Sequence, residues 1–202
     1  MTPTTAPLDA AVQAACAAGN YASAAETILA ELGGDVARFI HGRFRVEQHS
    51  ADVFSMFAED LWLGLPGFAF RCSVRAWVFT LARNAGKRFA MRDLKRQRTR
   101  VPLSAVPDAV EQAAARARHT SLGSAGSERE RRLEELRKDL SEEDQLLLTL
   151  RLDRELEFAE IALVTLGQPE ADTDAVEREA ARLRKRLQLL KERLRKRWHE
   201  HS

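Results

Sequence analysis

The 202-residue sequence predicts an all-α protein made of two small helical domains joined by a flexible linker. Apolar residues recur at intervals of three and four through most of the chain, which is the spacing of helices with one buried face. A stretch rich in Ala, Ser, Gly and Pro interrupts this pattern at 99–130. The interruption divides the chain into an N-terminal tail at 1–20, a helical bundle at 21–98, the linker, and a second helical domain at 131–202.

The first elements are predicted from local patterns. Residues 1–20 are rich in Ala, Thr and Pro and predict a loose tail or a weak first helix. The helical spacing at 21–44 runs across Gly33-Gly34, which predicts a helix hairpin or a kinked helix. We expect Asp52 to open the next helix, which Pro66-Gly67 should end.

The helix that follows is predicted to begin at Ser73, a residue type that favours the N-cap position. Its three-and-four spacing places Trp77 and Leu81 on one buried face. Between Arg83 and Arg100 eight Lys or Arg residues stand against Asp93 alone, a local net charge of +7. This basic run indicates a surface for a polyanion, although cations near a helix end are also common on ordinary solvated surfaces.

Two aromatic residues, Phe68 and Phe70, precede this basic helix in the predicted loop. Aromatic rings beside cations suit single-stranded nucleic acid, because unstacked bases rest on the rings while phosphates meet Lys and Arg. Trp77 is in phase with the apolar face and is predicted to be core, whereas Phe70 is the better candidate for contacting a partner.

The second helical domain is predicted after the linker, within which an Ala-rich helix near 108–118 is compatible with the sequence. The helical pattern returns at Arg131, and Ser141 followed by three acids is typical of a helix start. A further helix at about 157–166 should stop at Gly167. Thr173 or Asp174 then caps a long helix that reaches about Trp198.

The last helix is predicted to be amphipathic and strongly basic. Val176, Ala180, Leu183, Leu187, Leu190 and Leu194 follow the spacing of a helix seam. Between Arg182 and Arg197 nine basic residues stand against Glu192 alone, a local net charge of +8. A basic surface helix explains this pattern, and so does a helix-turn-helix whose last helix enters the major groove.

Composition argues against several other classes of protein. Cys16 and Cys72 form no closely spaced pair, and the five histidines (His41, His49, His119, His199 and His201) show no metal-ligand spacing. A Gly-rich phosphate loop, a signal peptide and a membrane-spanning apolar run are all absent from the sequence. We therefore expect a cytoplasmic, non-enzymatic protein with no catalytic residue, metal site or cofactor and no insertion into a membrane.

Two blocks of the sequence resemble bacterial RNA polymerase sigma factors, especially the extracytoplasmic-function (ECF) group. The region 2 pattern of that group is matched by Asp52, Trp62, Phe68, Ser73-Val74-Arg75-Ala76-Trp77-Val78 and Leu81-Ala82-Arg83-Asn84. The region 4 pattern is matched by Leu140, the run Leu146 to Leu150, Glu160-Ile161-Ala162, Leu166-Gly167, Arg186-Leu187 and Arg193-Leu194. Against the family's pattern, Ser55, Met56 and Phe70 are departures, and 168–177 counts as an insertion in the turn of region 4.

The resemblance implies core RNA polymerase and promoter DNA as partners, with an anti-sigma factor as a further candidate. The residues implied to dock on the β′ clamp helices are Asp52, Met56, Glu59 and Asp60. Those implied to open and read the −10 element are Phe68, Phe70, Arg71, Ser73, Arg75, Arg83, Asn84, Lys87 and Arg88. Region 4 would touch the β flap and read the −35 element with Arg182, Arg184, Lys185 and Arg186.

A second hypothesis is a stand-alone helix-turn-helix regulator that binds duplex DNA as a dimer. In that case the seam from Leu183 to Leu194 would join two copies, and the N-terminal block would bind a ligand or partner. The two hypotheses differ in polymerase dependence, because a regulator should protect its operator alone.

Overall fold

The computed structural model describes residues 5–44, 46–95, 107–120 and 140–200, and within these residues the protein is all-helical, with no strand. The described residues form eight α-helices: α1 (Thr5–Ala17), α2 (Tyr21–Arg43), α3 (Glu47–Gly64), α4 (Val74–Lys95), α5 (Asp108–Thr120), α6 (Glu142–Leu148), α7 (Phe158–Leu166) and α8 (Thr173–Glu200). A 3-10 turn at Leu65–Gly67 follows α3, and a π turn at Thr149–Asp153 follows α6. None of the described helices is long and apolar enough to cross a membrane.

The N-terminal segment forms a helix rather than a loose tail, so the second of the two sequence alternatives is the one observed. Val12 of α1 is fully buried, and Leu8 and Cys16 pack against the same core. Asn20 then caps α2, its side-chain oxygen accepting a hydrogen bond from the Ser23 amide at 3.2 Å. α1 is held by its apolar contacts with α2 and α4, which no local pattern in an Ala-rich stretch reveals.

α2 is one continuous helix, so the helix hairpin predicted as one alternative at Gly33-Gly34 was wrong. A Cβ added to Gly33 would lie 2.5 Å from the Cβ of Ala117 in α5. Gly33 is therefore the point where two helices approach closely, and the missing side chain serves packing instead of a turn. α5 itself lies inside the predicted linker, and its buried face of Val110, Ala113, Ala114 and Ala117 packs on α2 and α3.

α3 begins at Glu47, earlier than the predicted start at Asp52. The preceding residues contain no helix breaker, and Glu47 places a favourable negative charge in the first turn. The helix ends at Gly64, and the 3-10 turn through Pro66 and Gly67 follows, as the sequence predicted.

The C-terminal helices confirm most of the predicted boundaries. Ser141 caps α6, its hydroxyl oxygen accepting a hydrogen bond from the Asp144 amide at 3.2 Å. α7 ends at Gly167, which adopts the left-handed conformation with φ of 73°. α8 begins at Thr173, so the segment 168–177 counted as an insertion is divided between a short connection and the first turn of the long helix.

The apolar seam of α8 faces the interior of the chain. Ala180, Leu183, Leu187 and Leu190 are buried, and the helix packs against α6 and α7. These residues belong to the same contiguous hydrophobic cluster as the core of α1–α5. Among the described residues, the buried side chains of the two predicted domains thus form one cluster.

Several predictions fall on parts of the chain outside the described residues. They are the end of the bundle near residue 98, the linker residues 99–106 and 121–130, and the return of the helical pattern at 131–139.

Candidate nucleic-acid interface

The start of α4 is fixed by two hydrogen bonds from different parts of the chain. The Ser73 hydroxyl oxygen accepts from the Ala76 amide at 3.1 Å, which confirms Ser73 as the N-cap. The Asp9 carboxylate of α1 accepts from the Val74 amide at 2.9 Å. Burial raises the pKa of Asp9 although this hydrogen bond acts in the opposite direction. Two of the otherwise unsatisfied amides of the helix end are thus occupied, and the loop before α4 is anchored.

Three aromatic rings lie together beside this helix start, and two of them, Phe68 and Trp77, are stacked. Phe68 lies parallel to Trp77, with ring centroids 4.3 Å apart and planes 9° apart, and Phe70 lies 4.4 Å from the other ring of the pair, Phe68. Trp77 is 4% exposed, which confirms its prediction as core. Phe70 is half-buried and has a positive φ of 55°, a strained conformation for a bulky residue. Phe68 and Phe70 are both more exposed than Trp77.

A cavity of about 100 Å³ opens beside the stack. Its walls include Phe68, Arg71, Cys72 and Trp77 from the loop and α4, together with Pro169 and Glu170 from the connection after α7. The cavity thus lies where the two predicted halves of the protein meet.

The basic face of α4 is partly covered. Arg83 is half-buried, and its Nε and Nη1 atoms have no hydrogen-bond partner among the described residues. Burial lowers the pKa of Arg83, and the nearby Arg43 guanidinium lowers it further. Partial burial, with Arg83 and Arg43 nearby, also lowers the pKa of Lys87. Arg83, Lys87 and Arg43 thus lie close together, and the carboxylates of Glu142, Glu143 and Glu179 offset part of their positive charge.

The residues predicted to contact polymerase lie on α3, in the same part of the fold. Asp52 is exposed, and Met56 and Glu59 are half-buried. Asp60 forms an ion pair with Arg88 of α4, so one residue of this set is paired with one of the predicted −10 set. Exposed ion pairs of this kind contribute little to stability and can exchange for another partner.

The four residues predicted to read the −35 element differ in their environments. Arg182 donates two hydrogen bonds to Glu179, at 2.8 and 2.7 Å. Arg184 lies over the Phe158 ring, and Arg151 lies over the same ring, with guanidinium-to-centroid distances of 5.3 and 5.2 Å. Lys185 is exposed.

Arg186 is held by the first turn of α6. Its guanidinium donates to Asp144 at 2.6 Å, to the Ser141 hydroxyl at 3.0 Å, and to Glu143. Asp144 is 4% exposed, so Arg186 is the counter-ion of a buried carboxylate. This environment gives Arg186 a structural role in fixing α8 against α6.

The predicted −10 surface and the C-terminal helices are in direct contact, because α4 packs against α7. The Ser73 hydroxyl donates to Glu160, Arg71 forms an ion pair with Glu170 at 3.3 Å, and the Asn84 amide donates to the Gly167 carbonyl at 3.0 Å. The structure thus brings together three residues of the −10 set and the turn between α7 and α8.

Two further ion pairs join the same two parts of the chain. Arg154 lies 2.9 Å from Asp35 of α2, and Arg43 lies 2.8 Å from Glu142 of α6. Arg154 is only 12% exposed, and Arg75 of the −10 set lies near it.

Sequence reasoning missed several residues that shape this surface. Asp9, Asp35 and Arg154 act over long sequence separations, and no local signal identifies them. Glu160 could have been found, because it is the third residue of α7 and forms a capping box with Glu157, a spacing that is readable in the sequence. Arg151 lies in the π turn, and its guanidinium also lies over the Phe158 ring.

The fold and this surface define an all-helical protein with an aromatic and basic face on α4 and a basic final helix. The described residues contain no group of three or more His, Cys, Asp or Glu side chains that could hold a metal ion. No family model matches the chain, and neither a curated protein nor a solved structure matches it significantly.

Proposed function

We propose that the protein is a sigma factor of the ECF type, which binds core RNA polymerase and directs it to promoters. The observation that carries the proposal is the combination, at the start of α4, of a stacked aromatic loop with a basic helix face. This is the segment in which the sequence resembles region 2. In this proposal α2–α4 form the region 2-like domain, and α6–α8 form the region 4-like helix-turn-helix.

The aromatic stack supplies a platform for an unpaired promoter base. Phe68 stacks on Trp77 and lies 4.4 Å from the ring of Phe70, which is tilted by 42°, so a base would be added beside Phe68 and Phe70. Stacking of a base on an aromatic ring contributes about 1–3 kcal/mol. The cations Arg83, Lys87 and Arg88 follow along α4 and would meet the phosphates of the same strand.

The last helix, α8, would read duplex DNA with a subset of its basic residues. Lys185 and Arg184 are exposed, and the guanidinium groups of Arg184 and Arg151 both lie against the Phe158 ring. We expect these side chains to meet bases or phosphates, while Arg186 fixes the orientation of α8 through Asp144. α3 would supply the polymerase contact through Asp52 and Glu59.

A polymerase-binding experiment tests the proposal. The purified protein is mixed with sigma-free core RNA polymerase, the mixture is separated by gel filtration, and run-off transcripts from genomic fragments are sequenced. A stable complex and discrete start sites that share two spaced upstream elements are the expected result. An absence of complex, with retardation of duplex DNA by the protein alone, would instead support the stand-alone regulator.

The regulator hypothesis would also need a different dimer surface from the one the sequence suggested. Leu183, Leu187 and Leu190 are buried inside the chain, so they can join two copies only if α8 leaves α6 and α7.

A further inference from the structure

The residues expected to hold single-stranded DNA are the residues that hold the C-terminal helices. Ser73 and Asn84 donate hydrogen bonds to Glu160 and to the Gly167 carbonyl, and Arg71 pairs with Glu170. The side chains cannot make these contacts and bind a DNA strand at the same time.

The contacting groups on the C-terminal helices are mostly carboxylates. Glu160 and Glu170 lie against Ser73 and Arg71, and Glu142 pairs with Arg43. The carboxylates of Glu143 and Glu179 lie near enough to Arg83 to affect its pKa. Carboxylates placed opposite cations and hydroxyl donors occupy the positions in which phosphate oxygens would be favourable.

We propose that this arrangement is autoinhibited: the C-terminal helices, the α7–α8 turn and their carboxylates cover part of the single-strand-binding face of α4 until these helices move away. The inference rests on the proposed function, because it assigns a means of regulation to the same surface. Promoter DNA and the C-terminal helices compete for α4, so free protein binds single strands weakly.

The Asp35–Arg154 pair offers a way to open the arrangement without replacing a DNA-binding residue, and Arg75 is the one residue of the −10 set that lies near it. The pair joins α2 to the segment before α7 at 2.9 Å, with both side chains largely buried at 23% and 12% exposure. Reversing either charge places two like charges in this contact, and reversing both restores an attractive pair. Arg38, which also pairs with Asp35, would remain near an aspartate introduced at position 154.

The test compares Asp35→Arg, Arg154→Asp and the double variant with the wild type. Binding to a fluorescein-labelled, random-sequence single-stranded DNA is measured by fluorescence anisotropy. The DNA has about 20 nucleotides, which exceeds the usual site sizes of single-strand-binding folds. If the open form is a minor population, each single variant should bind about 3- to 10-fold more tightly, and the double variant should return to the wild-type affinity.

The two single variants separate opening from simple charge. Asp35→Arg adds two positive charges and Arg154→Asp removes two, while the double variant keeps the wild-type net charge. Autoinhibition requires tighter DNA binding in both single variants. Tighter binding by Asp35→Arg with weaker binding by Arg154→Asp would follow charge alone and would overturn the proposal.

The Cys72 thiol provides a second readout of opening, in a Cys16→Ser background. Cys72 lines the cavity closed by Pro169 and Glu170, and burial together with the nearby Glu160 carboxylate raises its pKa to about 11. In both single variants, movement of the C-terminal helices away from α4 should expose Cys72 and increase the rate at which iodoacetamide alkylates it. In the double variant the slow wild-type rate should return. Equal rates in all four proteins would show that α4 is not covered.

Circular dichroism checks that each variant is folded. If a charge reversal unfolds the chain, Asp35→Asn and Arg154→Gln replace it. Autoinhibition then requires tighter binding in both neutral single variants; the double variant is not used, because Asn and Gln do not restore an ion pair. Core polymerase binding is measured in parallel. Tighter single-strand binding with no polymerase complex in any variant would remove the sigma assignment and leave the covered surface standing.

Discussion

Replacing Gly33 by alanine tests the close approach of α2 and α5. The new Cβ would lie 2.5 Å from the Cβ of Ala117, whereas ordinary carbon contacts need about 3.5–4.0 Å. α5 must therefore move by about 1 Å or more, which disturbs its buried face against α2. Overpacking of this kind costs about 1–3 kcal/mol.

Gly34 in the same helix is the matched control. Its added Cβ would meet only the end of the Arg38 side chain, at 3.8 Å. Both substitutions gain about 1 kcal/mol of helix propensity, so the difference between them isolates the overpacking term. We expect Gly34→Ala to stabilise by about 1 kcal/mol and Gly33→Ala to be about 1–3 kcal/mol less stable than that control.

Urea denaturation measures both variants, with the midpoint and slope fitted separately. Adding Ala117→Gly to Gly33→Ala removes the opposing methyl group and should recover the overpacking term, less about 1 kcal/mol for a glycine in α5. If Gly33→Ala stabilised the protein as much as Gly34→Ala, α5 would not lie on Gly33 and its packing on α2 would be wrong.

Three further substitutions test the environments of single residues by the same denaturation assay. Arg186→Ala leaves the buried Asp144 without its main partner and should cost about 3–5 kcal/mol, whereas Lys185→Ala should change stability by less than about 0.5 kcal/mol and weaken duplex DNA binding. Equal stability of these two variants would contradict the role given to Arg186. Asp9→Ala loses an acceptor at the start of α4 and should cost about 1–3 kcal/mol. Asp9→Asn keeps an acceptor without the charge. Because burial raises the pKa of Asp9, the wild type loses stability as the pH rises through that pKa, and the stability of Asp9→Asn relative to the wild type should increase. A decrease in this relative stability would contradict the buried environment of Asp9. Trp77→Ala should cost about 3–5 kcal/mol, and a fully stable variant would show that the ring is not core.

The sequence predicted the features that depend on interactions between residues close together in the chain. Ser73, Ser141 and Gly167 cap helices as expected, because a capping side chain or a left-handed glycine acts within one turn. The seam of α8 was also readable from its spacing. The environment of Gly33 was not, because a glycine pair within a helix looks the same in sequence whether it bends the helix or admits a neighbour.

For the candidate interface, too, the sequence predicted which residues take part but not their contacts with distant parts of the chain. The aromatic and basic residues around α4 were identified from sequence, but not the contacts of Ser73, Asn84 and Arg71 with the C-terminal helices. These contacts join residues more than 80 positions apart, so only the packing of α7 on α4 could reveal them. The different roles of Arg186, which pairs with α6, and Lys185, which is exposed, likewise depend on the position of α6.

The half-buried guanidinium of Arg83 affects how easily the C-terminal helices would separate from α4. Two of its nitrogens lack an acceptor among the described residues, and an unsatisfied buried donor costs about 1–3 kcal/mol. Separation of the helices would return these donors to water, and a bound strand would then offer them phosphate oxygens. Arg83 would therefore destabilise the form in which the C-terminal helices cover α4 and stabilise the DNA-bound form. A ligand of modest affinity could then shift the protein from the covered to the open form.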